Sequence, residues 1–250
     1  MTRLIRAEFL KLRTTQVWFW LLLGTIAVSA LLIVAQIAPH DGVRTAHGVP
    51  DMFASATTVD IVVFVMGVLG VTTEFRYQTI TPTVLQTPSR WSIMTAKMIS
   101  YALLGALYAL VAVAVQLAVA VPWLSSKNVT VDFGDGNVQH AIIGVFGVVA
   151  LYGIVGLGVG ALLRNQIVAV VVGVIFLLVL ENILIAIPGV KHAYPYLPGG
   201  ATQAIMHTNG DSSFNGVHLL STGGGVATLL AWAFIPAIVG AAFTMNRDIT

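Results

Sequence analysis

Cysteine is absent from the 250-residue chain, which removes disulfides, thiol nucleophiles and cysteine-held metals. Charge is scarce as well. Only 9% of residues are Asp, Glu, Lys or Arg, against about a quarter in a soluble domain. So little polar surface cannot cover a water-soluble globule of this length. No Lys/Arg tract of the kind that grips nucleic acid is present. No G-x-x-x-x-G-K-[ST] occurs either, so the chain has no loop of that type to cradle ATP phosphates.

What fills the chain instead is apolar: 57% of residues are hydrophobic, and they arrive in runs long enough to cross a bilayer. The runs predict an all-α polytopic membrane protein, one transmembrane domain over residues 1–250. Six spans are expected at about 17–38, 57–73, 98–121, 141–163, 167–188 and 224–244. The first is too long for the apolar stretch of a signal peptide and reads as an uncleaved span. The formal net charge is only +2, so its placement matters more than its size. Arg3, Arg6, Lys11, Arg13, Arg76, Arg90, Lys97, Arg164 and Arg247 fall on one side, and Arg44, Lys127 and Lys191 on the other. That asymmetry predicts both termini in the cytoplasm of a cell-membrane protein. The six histidines fall in or beside the outer loops without metal-ligand spacing, and read as solvated.

Three segments carry chemistry. In residues 2–14, Leu4, Ile5, Phe9 and Leu12 share one side of a helix, and Arg3, Arg6 and Arg13 the other. With Lys11, this reads as an interfacial amphipathic helix over residues 1–16, meeting anionic lipid. A plain basic flank that sets topology is the alternative. The cytoplasmic connection 74–97 is too polar to span and too apolar for a bare linker. Thr81 can cap a short helix starting at Pro82, where the missing N–H costs nothing, and Pro88 stops it. Val84 and Leu85, with Phe75, Tyr77 and Ile80 nearby, suit docking onto a partner protein or lying on the lipid surface. Glu181 is the one acid well inside a span, roughly 10 Å from its outer end. An intramembrane carboxyl is a candidate site by default. It can meet substrate or a proton, or be a structural acid bonded to neighbours such as Gln116 or Asn182.

The stretch Glu74-Phe75-Arg76, then Thr79-Ile80, Thr83, Leu85, Pro88, Arg90 and Ala96-Lys97, resembles the signature of type-2 ABC exporter permeases of the bacterial kind. Gly153 to Asn165 is similar to the family's glycine-rich fourth span with its Leu-Leu-Arg-Asn end. Leu180-Glu181-Asn182, Pro188 and Tyr196-Leu197-Pro198 resemble its fifth span and outer loop, and Glu8 to Thr14 its first helix. Gln78 departs from the pattern, where many members have glycine. The resemblance implies a permease paired with a second permease, identical or homologous, each docked on one of two ABC ATP-binding subunits. ATP and magnesium would sit on those subunits, and this chain would bind no cofactor and be no enzyme. Glu74, Phe75, Arg76, Thr79, Ile80, Pro82, Leu85, Pro88 and Arg90 would couple to the ATPase. Residues 189–223 would shape an extracellular gate beside Glu181 and Asn182.

Two other classes compete. A secondary-active transporter would show an inverted repeat and charged relays. A membrane enzyme would need a convergent His/Asp/Glu cluster on the spans. Neither pattern is visible in the sequence. Asp132-Phe133-Gly134 and Gly156-Leu157-Gly158-Val159-Gly160 mimic kinase and nucleotide motifs without the required context. The latter instead supplies a G-x-x-x-G contact between spans.

Overall fold

In the computed structural model the apolar runs fold as helices, described over residues 2–38, 48–77, 90–126, 131–206, 213–214 and 216–245. Helix α1 (Thr2–Thr14) precedes α2 (Val17–Ile37). Next, α3 (Gly48–Ala54), a tight turn of 3-10 helix at Ser55–Val59 and α4 (Asp60–Arg76) run on without a break. Two long helices follow, α5 (Arg90–Ser126) and α6 (Gly136–Leu163). The fifth rod is α7 (Gln166–Ile175), a π-helical turn at Phe176–Leu180, and α8 (Glu181–Ala186). A 3-10 turn at Lys191–Tyr196, helix α9 (Pro198–Met206), the strand pair β1 (Ser213–Phe214) and β2 (Val217–His218), and α10 (Thr222–Met245) complete the order. The two strands pair antiparallel, Ser213 opposite His218 and Phe214 opposite Val217.

Six segments are long and apolar enough to cross a membrane: Val17–Ile37, Gly48–Arg76, Trp91–Ser126, Gly136–Leu163, Gln166–Ala186 and Thr222–Ala242. They are numbered here as spans one to six. The chain is an all-α polytopic membrane protein. The helical segment that carries span two begins at Gly48, ahead of the apolar run at residue 57, and Ser55 within it is bonded inside the bundle. The Ser55 hydroxyl donates to the Met52 carbonyl (2.6 Å) and accepts from Gln116 Nε2 (3.0 Å). Helix α5 likewise starts at Arg90, well before the apolar run. The short helix expected within residues 81–88 lies outside the described residues.

Span four is the hub. It packs on α4, α5 and α10, and Tyr152 at its centre is buried with Tyr108 and Phe64. Glycine makes this possible. A Cβ on Gly156 would strike the Phe64 carbonyl of span two, and one on Gly67 would strike the Gly153 carbonyl of span four. The two backbones therefore touch directly, the close approach that small residues allow in lipid. Hydroxyls inside the spans bond to their own helices, as Thr25 does to the Leu21 carbonyl (3.0 Å) and Thr72 to that of Val68 (2.8 Å). The hairpin between spans four and five is almost all cap. Arg164 ends α6 in the left-handed region (φ +53°). Asn165 Oδ1 then accepts from Ile167 N and Val168 N, both at 3.1 Å, satisfying two N–H groups at the start of α7.

Spans one and five stand apart from this core. In each, 17% of the most apolar window is buried, against 56% in spans two and four. Their outward faces carry residues such as Trp20, Leu31, Val172 and Leu180.

Candidate functional site

Buried ionisable side chains gather in two places, Glu8, Glu74 and Lys97 at one end of the bundle and Glu181, with Asp60 of span two in its neighbourhood, toward the other. At the end holding α1, the helical repeat puts Leu4, Glu8 and Leu12 on one stripe, and Glu8 is buried while Leu4 and Leu12 are half-buried. Glu74 arrives one turn before the end of span two, and Lys97 from the first third of α5. Lys97 Nζ reaches Glu8 Oε2 at 2.8 Å, Glu74 Oε1 at 2.7 Å and the Gly70 carbonyl at 3.2 Å. Those three bonds use all three ammonium donors. Lys11 Nζ reaches Glu74 Oε1 at 2.7 Å and Glu8 Oε1 at 3.1 Å. Two acids and two bases thus form a closed, neutral cluster that ties α1 to spans two and three.

Burial differs within it. The Lys97 side chain is 4% exposed and that of Lys11 47%. Burial alone would lower the Lys11 pKa, but the hydrogen bond and charge of Glu74, with those of Glu8, outweigh it and hold the ammonium above its ordinary value. The three deeper groups are the costly ones to leave unmatched, because an ion buried without its partner keeps the desolvation penalty and loses the attraction.

The sequence-predicted coupling residues divide around this cluster. Glu74, which the resemblance places among the coupling residues, is engaged by the two lysines. Phe75 lies half-buried under the Arg164 guanidinium, whose carbon is 5.7 Å from the ring centroid. Arg76 is exposed at the bundle end. Arg90 opens α5. Thr79, Ile80, Pro82, Leu85 and Pro88 lie outside the described residues. On α1, Arg3 lies in the helix, Arg6 and Arg13 are exposed, and Phe9 is half-buried. Sequence reasoning missed Glu8 as a functional candidate and took Lys97 only as a motif residue. The available signal was an acid on the apolar stripe of α1, which is costly unless paired.

At the other end, Glu181 opens α8 immediately after the π-helical turn and is 3% exposed. Turns of this kind insert into α-helices mostly at functional sites. Glu181 Oε2 accepts from Gly199 N at 2.8 Å, in the first turn of α9. A carboxylate there meets an open backbone donor and the positive end of the helix dipole. Among the described residues, Glu181 Oε1 has no hydrogen-bond partner. Asn182, beside it, is exposed and donates to the Leu178 carbonyl at 2.8 Å within its own helix.

Helix α9 is buried along most of its length and packs between α10 and α6. Thr202 Oγ1 lies 3.3 Å from Tyr152 Oη, and His140 Nε2 lies 2.7 Å from the Ile205 carbonyl. Tyr152 is in the middle of span four and His140 in its first turns. The N-terminal part of α9 therefore sits deep and its C-terminal end shallow, the path of a segment that dips into the bundle and returns. Tyr194, just before it, has its phenol pushed up to about 12 by burial and then by the Glu181 charge. Trp232 Nε1 of span six fixes the chain by donating to the Tyr196 carbonyl at 2.9 Å.

No group of three or more His, Asp or Glu residues able to hold a metal occurs among the described residues. Compared with curated proteins, the chain matches none. The sequence model of the family described as "ABC-2 family transporter protein" matches residues 4–180, from α1 through the π-helical turn. That stretch contains four of the six spans, most of the fifth, and all four members of the charge cluster. Covering well over half of the chain, the match makes this protein a member of the ABC-2 transporter family, a membrane permease of an ABC transporter.

Proposed function

We propose that this permease is one half of an ATP-driven exporter, pairing with a second permease, identical or homologous, and taking its power from two separate ATP-binding subunits. The observation that supports this reading is the buried charge cluster. Spans two and three leave the bundle on either side of the segment 78–89, the stretch that would face the ATPase. Glu74 and Lys97 clamp those two spans where the segment begins and ends, and Glu8 and Lys11 fasten α1 to both. A push on the segment would then move α1 and both spans together instead of bending one of them. The inner placement of this end follows from the lysine and arginine asymmetry. ATP and magnesium belong to the partner subunit.

The outer end supplies a gate in the same reading. The helix α9 is held at its deep end by the Glu181 carboxylate on span five and elsewhere by spans four and six. Span five carries a π-helical turn directly below that contact, a local irregularity at which the rod can adjust. Movement of span five would be passed to α9 through a single charged hydrogen bond.

The test is co-purification and coupled hydrolysis. Leu85→Ala and Arg76→Ala should insert normally but weaken ATPase association by about 2 kcal/mol, the scale of a buried interface anchor, or uncouple hydrolysis from transport. Variants that bind and drive transport like the parent would refute the coupling role of the segment. Independently, single cysteines at Thr2, Ser89 and Thr250 should resist labelling from outside intact cells, while those at Thr45, Ser126 and Ser212 should label. Outside labelling at Ser89 would overturn the topology.

A further inference from the structure

Beside the closed charge cluster lies an open one of a single sign. Arg76 ends span two and Arg164 ends span four. Their contacts cross: Arg164 lies over Phe75, the neighbour of Arg76, while Arg76 Nη1 approaches Gln166 Oε1 at 3.5 Å, two residues from Arg164. Both guanidiniums are thereby gathered onto one small patch at the membrane end of spans two, four and five. The nearby acids Glu8 and Glu74 are taken by lysines. Neither arginine forms an ion pair among the described residues.

The backbone at Arg164 adds a second observation. It sits at φ +53°, a conformation that costs any side chain and that glycine or asparagine adopts most readily. An arginine held there, in a chain rich in glycine, points to a use for its charge. The use is suggested by what adjoins it. Ile167 is 74% exposed and Val171 48%, one turn apart on span five, so an exposed apolar stripe starts beside the guanidiniums.

We infer that Arg76 and Arg164 form a binding site for the phosphate of an anionic phospholipid in the leaflet at this end, with its acyl chain along Ile167 and Val171. Two planar guanidiniums match a phosphate diester through paired, charge-assisted hydrogen bonds. The apolar stripe selects the lipid over a free anion. The permease would thereby carry a structural lipid at the junction of the hub with the loosely packed span five.

The site can be tested on the permease alone, without its ATPase, so that the outcome is independent of the export reading. The protein is extracted from bilayers of phosphatidylcholine containing a minority of phosphatidylglycerol, and bound lipid is identified by native mass spectrometry. The parent should retain phosphatidylglycerol in preference to phosphatidylcholine, and Arg76→Gln with Arg164→Gln should lower that preference roughly tenfold, the loss of one charged hydrogen-bond set. Arg76→Lys with Arg164→Lys, which keeps the charge, should lose less and controls for misfolding. Excess inorganic phosphate should leave the lipid in place. Unchanged preference in the glutamine variant would overturn the proposal, as would displacement by inorganic phosphate.

Discussion

The two buried ionisable sites solve the same problem in opposite ways. At the end holding α1, Glu8, Lys11, Glu74 and Lys97 satisfy one another, with every Lys97 donor used. Beside α9, Glu181 has one backbone partner and one carboxylate oxygen that bonds to nothing among the described residues. The first arrangement is rigid, because moving any one element exposes an unmatched charge. The second is looser at span five, because Glu181 gives α9 one hydrogen bond and keeps one oxygen without a partner among the described residues. In the proposed exporter, the matched cluster would serve as a stiff lever where force enters, and the Glu181 contact as the looser joint at the gate.

The largest effect expected from breaking the contrast comes from Lys97→Met. It leaves Glu8 and Glu74 buried with only the half-exposed Lys11, and losing one partner of a buried pair costs about 3–5 kcal/mol. Thermal melts in detergent should show a strongly destabilised protein. Arg6→Gln, on the exposed face of the same α1, should change stability by no more than about 0.5 kcal/mol.

Glu181→Gln should do less to the fold and more to transport. The amide can still accept from Gly199 N, but the charge that favours the α9 N-terminus is gone, a contribution of about 1 kcal/mol. Assembly is expected to survive and transport to fall. A parental transport rate would show that the ionised carboxylate is not needed, and a collapse of assembly would make Glu181 purely structural.

The smallest expected effect is a pH dependence at Lys11. Its pKa is raised in the folded protein, so its contribution to stability is complete below the ordinary lysine value of 10.5 and disappears as pH climbs through the higher folded value. Half-exposure screens it. The difference in melting temperature between the parent and Lys11→Met should therefore be small at neutral pH and shrink further only in strongly alkaline buffer.

These particulars show what was legible in the sequence. The apolar runs announced the six spans because a membrane rewards length and hydropathy directly. The apolar run of span three starts at residue 98 because hydropathy stops at a charge, while its helix reaches back to Arg90 past Lys97, which is neutralised by acids 89 and 23 residues away in the chain. No local pattern reports such a partner. Glu74 stood out in sequence, but its role was assigned outward, to a partner protein, because the inward lysines are distant in sequence. Glu181 was visible as a lone acid in an apolar run. Its bond to Gly199 pairs residues 18 apart, a register that neither composition nor periodicity encodes. The G-x-x-x-G run was legible as a close contact, though not its partner Phe64.

The central claim is that α1 and spans two and three act as one charge-locked unit. A double-mutant cycle between Glu8→Gln and Lys97→Met, read as thermal stability and as ATP hydrolysis coupled to transport in reconstituted complexes, tests it most directly. The account predicts that each single variant lowers both readouts and that the double is little worse than the poorer single, a coupling of about 1–3 kcal/mol in the stability readout. Additive losses, or a Glu8→Gln variant indistinguishable from the parent, would contradict it.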